Sequence, residues 1–323
     1  NFIRAQKSIE NQFGDKVQVV EKFNVPENAV EEPLVELAKE KCDVNFATSY
    51  GYGKTTKEVA KKYPEIQFCQ ATGDNANQNP IVSNYHTYMG AVYQGRYIAG
   101  IVAGMKLQEM ISEGKITPQD AKIGYVGAYA YAEVISGYTS FYLGVRSVVP
   151  EAVMTVKYTN TWSSYSTEKQ AAKELVDEDC VVISQHSDTV GPAAICENAQ
   201  RDIPVYHVGY NQSMTDIAPT RSLVSCCVDY SSYFEQSVYA LLHDKKIEEC
   251  IDGRTYKQDA MAGIDKGWVR ILDINEAIVP KGTKEMVEDT IEKIEKGKLE
   301  VFSGPFTGVS VFDRNDKINL NTP

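Results

Sequence analysis

The feature that most constrains this chain is an alternation of short apolar strands with amphipathic helices, run twice. In the first series Val17-Gln-Val-Val20, Val44-Asn-Phe-Ala-Thr48 and Ile66-Gln-Phe-Cys69 read as strands. Helices are predicted between and after them: 29–41 with Val30, Leu34, Leu37 and Ala38 on one face, 55–62, and 93–107. The last holds Gly95, Ala99, Gly100, Ala103 and Gly104. Each glycine weakens an isolated helix by about 1 kcal/mol, so this helix must be held by close tertiary packing. After a polar connector (109–122) the alternation resumes, with strands 123–127, 152–158, 181–184 and 205–208 and helices 132–149, 167–176 and 190–200. Near-continuous apolar strands joined by helices predict parallel sheets covered on both faces. Two such runs predict an α/β protein of two doubly wound, Rossmann-like lobes. The last third is less regular, with a strand over 223–228, a helix over 233–242 and a charged surface helix over 283–296.

With 323 residues the chain has room for two lobes with separate cores. Its 43% apolar and 24% charged residues exclude a disordered chain. The net charge of −11, with scattered basic residues, excludes nucleic acid as a partner. No apolar run approaches the roughly 18 residues that a membrane span needs. The 7 cysteines contain no Cys-x-x-Cys pair and read as reduced thiols, several in the core. The histidines have no metal-like spacing, so no metal site and no cofactor are expected.

In open α/β sheets ligands bind beyond the carboxyl ends of the strands, and several segments there carry suitable groups. Thr48-Ser-Tyr-Gly-Tyr-Gly53-Lys54-Thr55 ends like a phosphate-binding loop, but Thr48 stands where that loop opens with glycine, and no magnesium-binding Asp follows a second strand. A small-residue turn beside a ligand fits better. In Ser184-Gln-His186-Ser-Asp188 the His and Asp suit ligand hydrogen bonding, with helix capping by Asp188 as the structural alternative. Catalysis lacks a partner, since no Gly-x-Ser-x-Gly elbow is present. Gly209-Tyr210-Asn211 offers close backbone approach, an aromatic face and an amide, or equally a tight turn. Trp162, at a strand end, reads as a ligand platform, and Trp268 as core.

These strand-end segments together resemble the basic membrane protein family, the substrate-binding lipoproteins of certain ABC transporters. The resemblance is carried by Phe46-Ala-Thr-Ser-Tyr-Gly-Tyr52, Gln70-Ala-Thr-Gly73, Gly95-Arg-Tyr-Ile-Ala-Gly-Ile-Val-Ala-Gly104 and Lys122-Ile-Gly-Tyr-Val-Gly127. It continues through Glu133-Val-Ile-Ser-Gly137, Asn160-Thr-Trp162, Gln185-His-Ser-Asp188, Gly209-Tyr210 and Gly304-Pro-Phe-Thr-Gly308, in register along nearly the whole chain. It implies a type I periplasmic-binding-protein fold, with two lobes joined by three crossovers. Lobe I would comprise 1–120 with 223–253, and lobe II 121–222 with 254–323. It also implies a purine nucleoside or related aromatic heterocycle as ligand, an ABC permease as partner, and a lipid anchor outside the sequence.

Carried over by position, Asn1 matches an Asn that hydrogen-bonds the base. Tyr50, Trp162 and Tyr210 match ligand-facing aromatic positions, and His186 and Asp188 match polar contacts. The expected ligand contacts are Asn1, Phe2, Ser49, Tyr50, Gly73, Trp162, His186, Asp188, Gly209, Tyr210, Asn211 and Asp229. Two departures weaken the grip on ribose: Asn211 stands where the family usually has Asp, and Val228 near where nucleoside binders carry Lys. A free base or another flat heterocycle therefore fits as well. Family members also have a central strand before the residue matched by Asn1, so a gap is expected between the segments at Val17 and Val44. The alternatives are a sensory binding protein of the same fold, and a nucleoside-processing enzyme using His186 and Asp188.

Overall fold

The computed structural model describes residues 1–304 and the backbone of 307–309 and 317–319. The Gly304–Gly308 segment of the resemblance thus extends outside the described residues. Among these, two mixed, mainly parallel sheets are each covered by helices on both faces. In chain order the first part runs α1 (Phe2–Phe13), α2 (Glu31–Lys39), β1 (Val44–Ala47), α3 (Gly53–Lys62), β2 (Gln67–Ala71) and β3 (Tyr85–Gly90). Then come α4 (Val92–Ser112), β4 (Lys122–Gly127), α5 (Ala132–Arg146), β5 (Val153–Tyr158), α6 (Tyr165–Asp177), β6 (Val182–His186), α7 (Gly191–Asn198), β7 (Tyr206–Tyr210) and β8 (Ser222–Val228). The chain continues through α8 (Ser231–Leu242), α9 (Ile247–Cys250), β9 (Arg254–Tyr256), β10 (Asp259–Ala262), β11 (Val269–Leu272) and α10 (Thr283–Glu295).

The first sheet has the order β1-β2-β3-β10-β9, with β9 antiparallel to β10. One face packs on α2 and α3 through Leu34, Ala38, Val59, Ala60 and Phe68. The other packs on α1 and α8 through Ala5, Ile9, Tyr88, Tyr233 and Phe234. The second sheet has the order β11-β8-β7-β6-β4-β5, with β11 antiparallel to β8. Helices α4, α5 and α10 cover one face, and α6 and α7 the other.

The chain exchanges sheets at points other than 120, 223 and 254. Helix α4 packs against α5 and the second sheet, so the first exchange comes just after β3. Strand β8 is buried along its whole length and finds partners on both edges, β7 and β11, in the second sheet. Strands β9 and β10 return to the first sheet beside β3, and residues 263–268 lead back to β11. The three exchanges therefore lie near 91, 229 and 263–268.

Helix α4 shows why its glycines are there. Buried Ile98, Val102, Phe141 and Val145 pack where α4 meets α5. A methyl group at Gly100 would overlap the Phe141 carbonyl, and one at Gly144 would overlap the Tyr97 carbonyl. The two main chains approach each other at paired glycines because a larger residue on either helix would hold them apart.

The segment Val17–Val20 joins no sheet, unlike its predicted strand, although Val17 itself is extended. Strand β1 is an edge whose outer side faces a slot, and residues 17–25 lie on the slot's other wall. Pairing needs backbones about 5 Å apart, and among the described residues β1 pairs only with β2. Beside it the buried Asn45 amide has no hydrogen-bond partner. All 7 cysteines are free thiols, with Cys69, Cys180, Cys196, Cys226 and Cys227 buried, and Trp268 is fully buried.

Candidate functional site

The carboxyl ends of the parallel strands in both sheets open onto one cavity of about 1990 Å³. That exceeds the roughly 300–1,000 Å³ of a small-ligand pocket because the slot beside β1 is continuous with the cleft. The cleft end is walled by rings. Tyr129 stacks on Tyr131 at 4.9 Å between centroids, and Trp162 meets Tyr129 at 5.8 Å. Tyr50, from the loop after β1, meets Tyr131 at 4.8 Å, so this contact spans the two lobes. On the opposite wall Phe2 stacks on Tyr230 at 5.4 Å. Each ring follows a strand or opens a helix, where the chain must turn away from the sheet and its side chains face the gap.

Deeper in the cleft the polar groups are tied together. The Tyr210 hydroxyl donates to Glu133 Oε1 at 3.2 Å, and His186 Nε2 lies 3.6 Å from the same oxygen. The His186 ring packs 4.1 Å from Tyr210 and is fully buried. Burial holds its pKa below the ordinary imidazole value against the opposing pull of Glu133. Burial, then the Glu133 and Asp188 charges, push the Tyr210 phenol well above its usual range. Trp162 Nε1 is buried without a partner and is a donor awaiting an acceptor. Asn211 has φ 61, a left-handed conformation that Asn tolerates, and its Oδ1 accepts from Val228 N at 3.3 Å.

Of the expected contacts, Asn1, Phe2, Ser49, Tyr50, Trp162, Asp188, Tyr210 and Asn211 line the cavity. Ser49 does so with its hydroxyl donated to Glu27 Oε1 at 2.5 Å. Four are placed elsewhere. His186 lies behind the Tyr210 ring. Gly73 is packed against Thr87 and Gln70, and Thr72 reaches the cavity instead. Gly209 faces Ser225 and Met214, where a Cβ would clash, and its carbonyl accepts from buried Arg96 at 3.1 Å. Asp229 is held by Arg270 at 3.0 Å, Arg4 at 3.3 Å and its own Ser231, at the second exchange between the sheets.

Reading by residue type missed Tyr129, Glu133, Tyr230 and Thr72, all of which line the cavity. Tyr129-Ala-Tyr131-Ala-Glu133 directly follows the end of β4, and that position was the available signal.

Residues 4–301 match the Bmp family, described as ABC transporter substrate-binding protein PnrA-like. The chain belongs to the Bmp family. A Brucella abortus (strain 2308) protein named as purine-binding is 30% identical over 303 residues, covering 94% of this chain and 78% of its own. A Haloferax volcanii protein named as an ABC transporter glucose-binding protein is also 30% identical, covering 93% and 69%. Among solved structures, an ABC transporter solute-binding protein from Aeropyrum pernix K1 superposes with a TM-score of 0.69 at 15% identity, covering 92% of this chain and 87% of that one.

As a Bmp-family substrate-binding protein, the chain works outside the cytoplasm, where it binds a small molecule and serves a permease. The family is one of substrate-binding proteins rather than enzymes. Among the described residues no helix is long and apolar enough to cross a membrane.

Proposed function

We propose that this Bmp-family protein captures a purine base or a similar planar nitrogen heterocycle, with purine nucleosides as the next candidates, and delivers it unaltered to an ABC permease. The observation that carries this reading is the ring-lined cleft with Glu133 and Asp188 at its polar end. A flat ring between Tyr129, Trp162 and Tyr50 would gain about 0.5–1.5 kcal/mol per face beyond its burial. A ring N–H would donate to Glu133, Asp188 would pair with a second polar position of the ring, and a ring nitrogen would accept from Trp162 Nε1. A ligand that left one of these unpaired would lose about 1–3 kcal/mol, which makes them the selective contacts.

The purine-binding name of the Brucella abortus relative supports this ligand class. A free base is favoured over a nucleoside because the neutral Asn211 has its Oδ1 engaged by the Val228 main-chain N–H, and the Val228 side chain is apolar, leaving little to grip ribose hydroxyls. Tyr50 already meets Tyr131 across the cleft, so opening of the lobes about the three exchanges would admit and release the ring. A lipid anchor outside this sequence would hold the protein at the membrane surface, as the family resemblance implies.

Thermal-shift and calorimetric titrations with adenine, guanine, hypoxanthine, their nucleosides, riboflavin, glucose and arabinose test the reading. A purine at 100-fold its Kd is expected to stabilise the protein by about 2.7 kcal/mol, and chromatography should recover it unchanged. A response to the sugars with none to any purine would overturn the ligand class. Conversion of the bound purine would overturn the transport reading.

A further inference from the structure

Behind the cleft, on α6, lies a carboxylate that reaches neither the cavity nor a cation. Glu168 is fully buried, and no salt bridge to it occurs among the described residues. Its Oε1 accepts from Ser164 N at 3.1 Å. Its Oε2 accepts from Ser187 Oγ at 2.7 Å and from Thr189 N at 3.1 Å. One carboxylate therefore grips the loop that follows Trp162 and both neighbours of Asp188. The loops are also joined directly, since Asp188 N donates to Trp162 O at 2.8 Å. Gln185 Nε2 donates to the carbonyls of Ser187 and Thr189 and completes the clamp.

Capping α6 requires only the bond to Ser164. The bonds to Ser187 and Thr189 reach across to another strand's loop, and burying an anion without a cation is costly. Such an arrangement makes sense where the anion acts on something nearby. We infer that Glu168 is a positioning residue, which aims Asp188 and Trp162 into the cleft together and places its own carboxylate beside the Asp188 loop.

The charges around Asp188 are consistent with this. Crowding by protein atoms, then the negative charges of Glu168 on α6 and Glu133 on α5, push the Asp188 carboxyl up to about 7. The Tyr210 phenol of β7 and the His186 imidazole at the end of β6 complete the surroundings, and burial disfavours the charged form of each. Asp188 is exposed to the cavity, so water screens part of the rise. Beside Glu133, a carboxyl that holds its proton near neutrality can donate to a ring nitrogen. The pair would then select a heterocycle with neighbouring acceptor and donor positions, which rests on the cleft being the ligand site.

The test is a carboxyl-carbon NMR titration of the full chain labelled with ¹³C-aspartate, with Asp188 assigned from its loss in Asp188→Asn. The parent is expected to show an Asp188 midpoint well above ordinary aspartate. Glu168→Gln, which keeps the side chain's shape and removes its charge, should lower that midpoint by about one pH unit or more. Ser187→Ala removes a hydrogen bond but no charge and should leave the midpoint high. An ordinary midpoint in the parent, an unmoved midpoint in Glu168→Gln, or a fall in Ser187→Ala equal to that in Glu168→Gln would each overturn the inference. The titration uses no ligand, so its outcome is separate from the purine binding tests.

Discussion

Replacing Gly100 with alanine tests the packing of lobe II through the sign of the effect. Gly100 lies inside α4, where alanine is favoured over glycine by about 1 kcal/mol, so an open site would be stabilised. The structure leaves no room. The added carbon would overlap the Phe141 carbonyl oxygen, and it would lie 3.0 Å from the carbonyl carbon and 3.1 Å from Val145 N. These are main-chain atoms of α5 and cannot rotate away, so the two helices must part by on the order of an ångström. A gap of that size forfeits roughly a quarter to a half of the dispersion well for each facing pair, and it opens along fully buried Ile98, Val102, Phe141 and Val145.

Overpacking typically costs about 1–3 kcal/mol, and a main-chain obstacle belongs at the upper end or beyond. After the gain in helix propensity the net loss is about 2 kcal/mol, or a fall in Tm of roughly 4–8 °C. The assay is thermal and urea unfolding followed by far-UV circular dichroism. Hydrogen exchange in α4 and α5 would assign the loss to lobe II, since the two lobes need not unfold together. Gly144→Ala should behave alike, because it meets the Tyr97 carbonyl from the other side. A Gly100→Ala protein melting at or above the parent temperature would refute the close-packing argument.

Tyr210→Phe removes the hydroxyl that donates to Glu133 at 3.2 Å and should weaken binding of the captured purine by about 1 kcal/mol, roughly fivefold, in calorimetry. An unchanged Kd would show that Glu133 is oriented without it. His207 is fully buried, and burial, then Arg96, hold its pKa down to about 3. Its folded value lies below the unfolded value of about 6.5, so the associated stability is complete above 6.5 and is lost as pH falls toward 3. Urea unfolding of the parent should therefore lose up to about 1.4 kcal/mol per pH unit between pH 6 and 4 from this residue, and His207→Gln should have the shallower slope. Equal slopes would mean that His207 accepts a proton in the folded protein.

Much of the architecture was legible because it depends on local periodicity. Strands β4 to β8 and helices α2 to α7 lie near their predicted positions, since a covered parallel strand must be apolar on both sides and a covering helix must carry one apolar stripe. Helix α1 was missed, although Ala5 and Ile9 form its buried side, and so were the short strands β9 to β11, which carry too few residues for a pattern. Val17–Val20 shows the opposite failure: it has a strand's alternation, but a strand exists only where a neighbour lies within hydrogen-bonding reach.

The site divides in the same way. Residue type and strand-end position were enough to select Trp162, Asp188, Tyr210 and Asn211, and the family resemblance added Tyr50; all five line the cavity. They could not separate Asp188, which faces the cavity, from Asp229, which Arg4 and Arg270 neutralise. Nor could they join Glu133 to Tyr210 or Glu168 to Ser187, pairs separated by 77 and 19 positions. Hydrophobic periodicity is written into neighbouring residues and can be read from them. The partner of a buried charge is chosen by distance in space, and only the folded chain defines it.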